Sequence, residues 1–283
     1  MRIALAQSDV AFGDVDFNLA HLRERVAAAA HGGAELVVFP ECFLTGYAFT
    51  SAADVQRVAL EVPGPVTGEL VKVAQEKRVH LVVGLIERAT GGNGKQCFNT
   101  ALLVGPDGIA LHYRKLHLPV LGCDRFVAPG DLPLSVASTP LGRIGLSICY
   151  DGSFPETARV LKLRGAQLIV LPTNWPEQAT VSRRFQSMVR AFENHVNYVA
   201  CNRIGSEGGF QFPGGSQGVD FSGHIVLQGG DGAELLYADL DLARADDNKV
   251  VLIAGEYELD RIVHRRPEHY GALVEPPRPA TAG

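Results

Sequence analysis

Two stretches share one layout: "GGAELVVFPE" at residues 32–41 and "RGAQLIVLPT" at residues 164–173. In each, a helix-like end meets Gly, then a short apolar run, then Pro near the tip of that run. Runs this apolar, with no polar alternation, read as strands covered on both faces. The echo predicts two related β-α halves. An α/β fold of four layers, α-β-β-α, with two mixed sheets packed together and helices outside, satisfies it. A single doubly wound sheet is the competing architecture.

The pattern extends outward from both copies. Residues 2–7 and 80–87 read as strands, and residues 16–31 as a helix with Leu19, Leu22 and Val26 on one face. Thr67 is expected to cap a helix that runs to about Lys77. "NTALLV" and "IALHYRK" flank the "GPDG" turn at 105–108 and read as a hairpin. A strand over 143–149, a helix over 155–164, a strand over 167–172, a helix over 181–195 and a strand over 197–202 follow. Short strands and Gly-rich turns begin at 214. No low-complexity linker divides the chain, so residues 1–283 are expected to be one domain, with 276–283 a loose tail.

Composition narrows the function. The chain has 283 residues, 46% of them hydrophobic, and a net charge of −5. Basic residues form no block beyond pairs such as Arg183–Arg184, so no nucleic-acid partner is expected. The five cysteines, at 42, 97, 123, 149 and 201, are scattered and odd in number, with no C-x-x-C pair. That usage fits a reducing compartment better than a disulfide framework. The first residues do not read as a signal peptide, and no run approaches the roughly 18 apolar residues of a membrane span. A soluble cytoplasmic protein is expected. The nine histidines show neither H-E-x-x-H nor zinc spacing with cysteine, and no phosphate loop occurs. No metal is expected.

"GGSQG" at 214–218 fits G-x-S-x-G. That motif needs a strand before its Ser and a helix after it. "VDFSGHIVLQ" reads instead as two strands around a turn, so Ser216 is a poor nucleophile, and a serine esterase would rest on it alone.

"GLSICYDGSF" at 145–154 offers another nucleophile. An apolar strand is expected to end on Cys149, followed by a tight turn. Glu41 follows "LVVFP", and Lys115 ends "IALHYRK". A thiol, an ammonium and a carboxylate thus lie at the carboxyl ends of strands, the edge where ligands bind in open α/β sheets. A cation lowers a thiol's pKa and stabilises an oxyanion, and a carboxylate moves the proton from thiol to leaving amine. The main-chain N–H of Tyr150 is a candidate second oxyanion donor. Tyr47 and Trp175 are candidate substrate contacts.

"FPECFLTGY" (39–47), "YRKLHLP" (113–119), "SICYDGSFPE" (147–156) and "LPTNWP" (171–176) resemble, in order, the signatures of the nitrilase superfamily of carbon–nitrogen hydrolases. The resemblance covers roughly residues 2–270. It implies the four-layer sandwich, a Glu41–Lys115–Cys149 triad, no cofactor, and a homodimer or higher homo-oligomer. Asp124 stands nearest to a second glutamate common in the family and is a candidate support for Lys115. Gly152 and Ser153 stand where carbamoyl-amino-acid hydrolases place arginines. The expected activity is hydrolysis of a linear amide through a cysteine thioester, acting on an uncharged small molecule and releasing ammonia or an amine. Nitrile or N-carbamoyl hydrolysis and a non-catalytic or ammonia-supplying partner subunit are the alternatives.

Overall fold

The computed structural model describes residues 1–89 and 96–276. The chain forms two compact units, Met1–Asp247 and Asn248–Gly283. In the first unit one sheet begins with β1 (Arg2–Gln7), β2 (Leu36–Val38), β3 (Leu60–Glu61), β4 (His80–Arg88), β5 (Cys97–Gly105) and β6 (Gly108–Arg114). A second sheet takes β7 (Val136–Thr139), β8 (Gly142–Leu146), β9 (Leu168–Thr173) and β10 (Asn197–Asn202). β11 (Ile204–Glu207) and β12 (Phe210–Pro213) form a separate hairpin. β13 (Gln217–Val219) and β14 (Ile225–Gln228) extend the second sheet, and β15 (Glu234–Asp239) returns to the first. The orders are β15-β1-β2-β4-β5-β6, with β3 beside β4, and β14-β13-β10-β9-β8-β7. The two echoed stretches supply β2 and β9. Each lies inside its sheet, between two parallel neighbours.

Strand periodicity builds the layers. On β1, Ile3 and Leu5 join the core between the sheets with Leu36, Val38, Ile144, Leu146, Leu168 and Val170. The alternate residues Ala4 and Ala6 face α1 (Val15–His31) and α3 (Pro65–Lys77) through Leu22, Val26 and Leu70. A short α2 (Ala52–Val58) precedes α3, while α4 (Pro155–Leu163) and α5 (Ser187–Asn194) pack with the second sheet. The four-layer α-β-β-α sandwich is therefore the fold of this unit. The second unit holds the hairpin β16 (Lys249–Ile253) and β17 (Tyr257–Asp260), then two short 3₁₀ turns. All but Pro276 of the expected tail lies outside the described residues.

Three local expectations change. Thr67 does not cap α3: Pro65 occupies the first turn, Gly64 is the cap, and the Thr67 hydroxyl accepts from the Gly64 N–H at 2.8 Å. The strand expected over 143–149 ends at Leu146, so Cys149 opens a 3₁₀ turn instead of finishing a strand. The helix expected over 181–195 starts as a π turn at Ser182–Gln186 before α5. Its buried Gln186 explains a glycine in the neighbouring turn, because a Cβ on Gly152 would lie 1.9 Å from Gln186 Nε2.

The segment after β2 lies directly on β4. Phe39 N–H donates to Val82 O at 2.9 Å and Leu44 N–H to Gly84 O at 3.1 Å. A Cβ on Gly84 would sit 2.5 Å from Cys42 N and 2.9 Å from Glu41 Cα. These are backbone atoms that cannot swing aside. Gly84→Ala is expected to lower both the melting temperature and kcat/KM, the latter at least about tenfold, because a shift near 1 Å in a reacting group has that scale of effect. Gly68→Ala, in open space on α3, should be neutral or stabilising by up to about 1 kcal/mol. Equal behaviour of the two variants in paired melting and rate measurements would contradict this reading.

Candidate active site

Cys149 begins its turn at φ +43°. An L-residue in the left-handed region costs on the order of 1–3 kcal/mol and persists only where its surroundings over-determine it. The surroundings are the turn's own bonds: Asp151 N–H donates to Ile148 O at 2.9 Å, and Ile148 N–H donates to Asp151 Oδ2 at 3.0 Å. From α5, Arg190 Nε donates to Gly152 O at 2.9 Å and fixes the far side.

Lys115 directly follows β6 and is wholly buried. Its backbone is clamped twice, by Lys115 N–H to Asn99 O and Gly130 N–H to Lys115 O, each 2.8 Å. Its Nζ donates to Glu41 Oε1 at 2.7 Å and to Asp124 Oδ2 at 2.5 Å. Asn99 Nδ2 bridges the same carboxylates, at 2.8 Å to Glu41 Oε1 and 2.9 Å to Asp124 Oδ1. The Tyr47 hydroxyl donates to Asp124 Oδ2 at 2.8 Å. Glu41 Oε2, the remaining oxygen, is buried with no hydrogen-bond partner among the described residues.

The electrostatics follow from one cation and two carboxylates without water. Burial alone would lower the Lys115 pKa, but Asp124 and Glu41 outweigh it and hold the ammonium well above its ordinary value. Burial raises the Glu41 carboxyl; Lys115 opposes the rise and Asp124 adds to it. Burial, then the Glu41 charge, pushes the Cys149 thiol up, while Lys115, the Thr173 hydroxyl and the Asn174 N–H pull the other way. The surroundings of the sulfur therefore favour the thiol over the thiolate, and burial raises the basicity of the Glu41 carboxylate.

The loop carrying Glu41 and Tyr47 is braced by residues that sequence reading missed. Glu207 Oε1 accepts from Tyr47 N–H at 2.7 Å and Ala48 N–H at 2.5 Å. Arg203, fully buried, donates from Nη1 to Glu207 Oε2 at 2.7 Å and lies over the Phe212 ring. Asn174 Nδ2 donates to Glu41 O at 3.0 Å.

A profile of the family described as "Carbon-nitrogen hydrolase" matches residues 2–249. The chain belongs to the carbon–nitrogen hydrolase family. A nitrilase from Pyrococcus abyssi is 35% identical over 218 residues, 76% of this chain and 80% of its own. An (R)-stereoselective amidase from Pseudomonas sp is 34% identical over 243 residues, 86% of this chain and 85% of its own. Among solved structures, a mutant of the amidase from Nesterenkonia sp. AN1 shows covalent addition of the acetamide moiety of fluoroacetamide at its active-site cysteine. It aligns with a TM-score of 0.79 and 28% identity, over 97% of each chain.

In this carbon–nitrogen hydrolase, the structure brings Glu41, Lys115, Asp124 and Tyr47 into one hydrogen-bonded cluster, whose charges act on Cys149. Trp175 is buried, and its backbone N–H donates to Asn202 Oδ1 at 2.8 Å. The Tyr150 side chain is 39% exposed and edge-on to Phe154. Arg125 is exposed over Phe126, apart from Asp124's bonded partners. Ser216 is fully buried and exchanges hydrogen bonds with the Asn202 backbone, with strand β13 after it. It has the structural role its context predicts.

Proposed function

We propose that the chain hydrolyses the carbon–nitrogen bond of small linear amides through a Cys149 thioester. The observation that carries this reading is the Lys115 ammonium buried between two carboxylates, with Glu41 Oε2 unpaired, in a cluster that acts on a thiol in a strained turn. Glu41 takes the thiol proton as Cys149 Sγ bonds to the amide carbon. Lys115 Nζ and the Tyr150 N–H hold the oxyanion. As the intermediate collapses the C–N bond breaks, and Glu41 returns the proton to nitrogen, which leaves as ammonia or an amine. Water, deprotonated by Glu41, then attacks the thioester and regenerates the thiol. Asp124 supports Lys115 by sharing its charge. Tyr47 acts through Asp124, and Trp175 borders the acyl group. Residues 1–283 act as one hydrolase domain, supported by the family profile over 2–249.

An uncharged acyl group fits best. Buried carboxylates need a paired cation. Arg190 is committed to the Gly152 carbonyl and to Glu193, and Arg125 points to solvent. Ser153 offers a neutral hydrogen bond, worth about 1 kcal/mol net. The Nesterenkonia relative, which carries an acetamide moiety on its cysteine, supports the same class.

A cytoplasmic location is supported by five free cysteines, all buried. No described helix is long and apolar enough to cross a membrane. A homo-oligomer is supported by exposed Val181, Phe185, Val189 and Phe192, spaced as one helical face beside exposed Ile225 and Val226 of β14. Light scattering is expected to give a dimer or larger that Phe192→Glu weakens. A monomeric wild-type chain would overturn the oligomer proposal.

One experiment tests the chemistry. The enzyme is quenched during turnover of an aliphatic amide, an N-carbamoyl amino acid and a nitrile of similar size, and the acyl adduct is mapped by peptide mass spectrometry. The adduct is expected on Cys149, absent in Cys149→Ala, with kcat/KM for the amide at least tenfold above the others, a margin of about 1.4 kcal/mol. An adduct elsewhere sinks the nucleophile assignment. A preference for the carboxylate-bearing compound sinks the substrate class.

A further inference from the structure

Lys115 follows a strand of the first sheet and Cys149 follows a strand of the second, so no strand ladder among the described residues fixes one against the other. One buried carboxylate does connect them. Asp151, fully buried two residues after Cys149, accepts four hydrogen bonds. Tyr113 OH donates to its Oδ2 at 2.7 Å and Ile148 N–H to the same oxygen at 3.0 Å. The His117 N–H, at 3.0 Å, and His117 Nδ1, at 2.7 Å, meet Oδ1. Tyr113 and His117 lie two residues before and two after Lys115. Asp151 therefore grips the chain on both sides of the lysine while it closes the turn that strains Cys149. The His117 ring also stacks on Phe154, at the far end of that turn, with centroids 3.7 Å apart and planes 11° apart.

We propose that Asp151 is a positioning residue that sets the placement of Lys115 relative to Cys149, acting through Tyr113 and His117. All four donors point at one side chain, so a carboxylate satisfies them without leaving a buried lone donor. Asparagine keeps one acceptor oxygen but turns an N–H₂ toward one donor pair. Alanine leaves all four without an acceptor. The hydrogen bonds of the carboxylate go to Tyr113, His117 and Ile148, so its loss frees the lysine segment from the turn without changing the chemical identity of either reacting group. A displacement of about 1 Å in a reacting pair is enough to cost about a hundredfold in rate.

The inference rests on the proposed roles of Lys115 and Cys149, and the experiment separates the two. Steady-state kinetics, melting temperature and adduct mapping are measured for Asp151→Asn, Asp151→Ala, Tyr113→Phe and the Asp151→Asn/Tyr113→Phe double variant. The expected order of kcat is wild type, Tyr113→Phe, Asp151→Asn, Asp151→Ala. Asp151→Asn should fall at least tenfold with KM within about twofold, the split of an interaction that serves the transition state. Tyr113→Phe should lower kcat about threefold or more, and add little once Asp151 is Asn, because both substitutions cut one link. Tyr113→Phe keeps the ring and so tests the idea even where the Asp151 variants fail to fold. Wild-type kcat in Tyr113→Phe, or fully additive losses in the double variant, overturns the proposal. If the adduct still maps to Cys149 in the wild type, that failure counts against Asp151 alone.

Discussion

The structure is organised around a single ammonium held out of water. Lys115 has no exposed surface, and the penalty for burying an ion in a protein is several kcal/mol even after relaxation. Glu41 and Asp124, at 2.7 and 2.5 Å, offset it, but they are themselves buried ions. Three charges in contact leave one excess negative charge in a dry site. Asn99 partly neutralises that excess by donating to both carboxylates, and the Tyr47 hydroxyl adds a third donor. Burial, with the Glu41 charge added to it, raises the Cys149 thiol, and burial likewise raises the Glu41 carboxyl. Chemistry and stability thus draw on one electrostatic imbalance.

The fold follows from the need to deliver these groups from distant parts of the chain. Glu41 comes from the loop after β2, Lys115 from the residue after β6, Asp124 from a 3₁₀ turn and Cys149 from the turn after β8. Loops at strand ends are mobile by default, so each is pinned. The Glu41 loop lies on Gly84 and is gripped by Glu207, which Arg203 holds in turn. Lys115 is clamped by Asn99 and Gly130, and the Cys149 turn by Arg190 and Asp151. Arg203 and Glu207 belong to the later half of the first unit, yet they hold a loop of its first half.

Much of this was legible in the sequence, for physical reasons. The strands β1, β2, β9 and β10 are continuous apolar runs, a signal that survives without context. The echo between 32–41 and 164–173 located equivalent interior strands in the two sheets. Glu41, Lys115 and Cys149 stood out because charged or reactive groups interrupted apolar strand ends. The brace residues carried no such mark. Asn99 sits inside β5 and reads as one polar residue in a strand. Arg203 and Glu207 did not stand out, because only the fold reveals that Arg203 is buried. Asp151 was visible in "CYDGS" but read as a turn former, since local sequence says nothing of Tyr113 and His117 arriving from the other sheet. The π turn before α5 was illegible because its residues keep helical periodicity.

The central claim is that Lys115 exists to balance two buried carboxylates, and thermal unfolding of Lys115→Met against wild type, across about pH 4 to 9, tests it most directly. With the ammonium gone, the folded-state pKa of Glu41, already raised by burial, should rise further above its unfolded value, because the opposing pull of Lys115 is lost. Stability from such groups is present below the unfolded pKa and lost as pH rises through the folded one. The variant should therefore approach wild-type stability near pH 4 and fall behind as pH rises, toward the about 3–5 kcal/mol lost when a buried pair is broken. A difference that stays constant over the whole range would contradict the account, because it would mean that the lysine contributes packing and not charge.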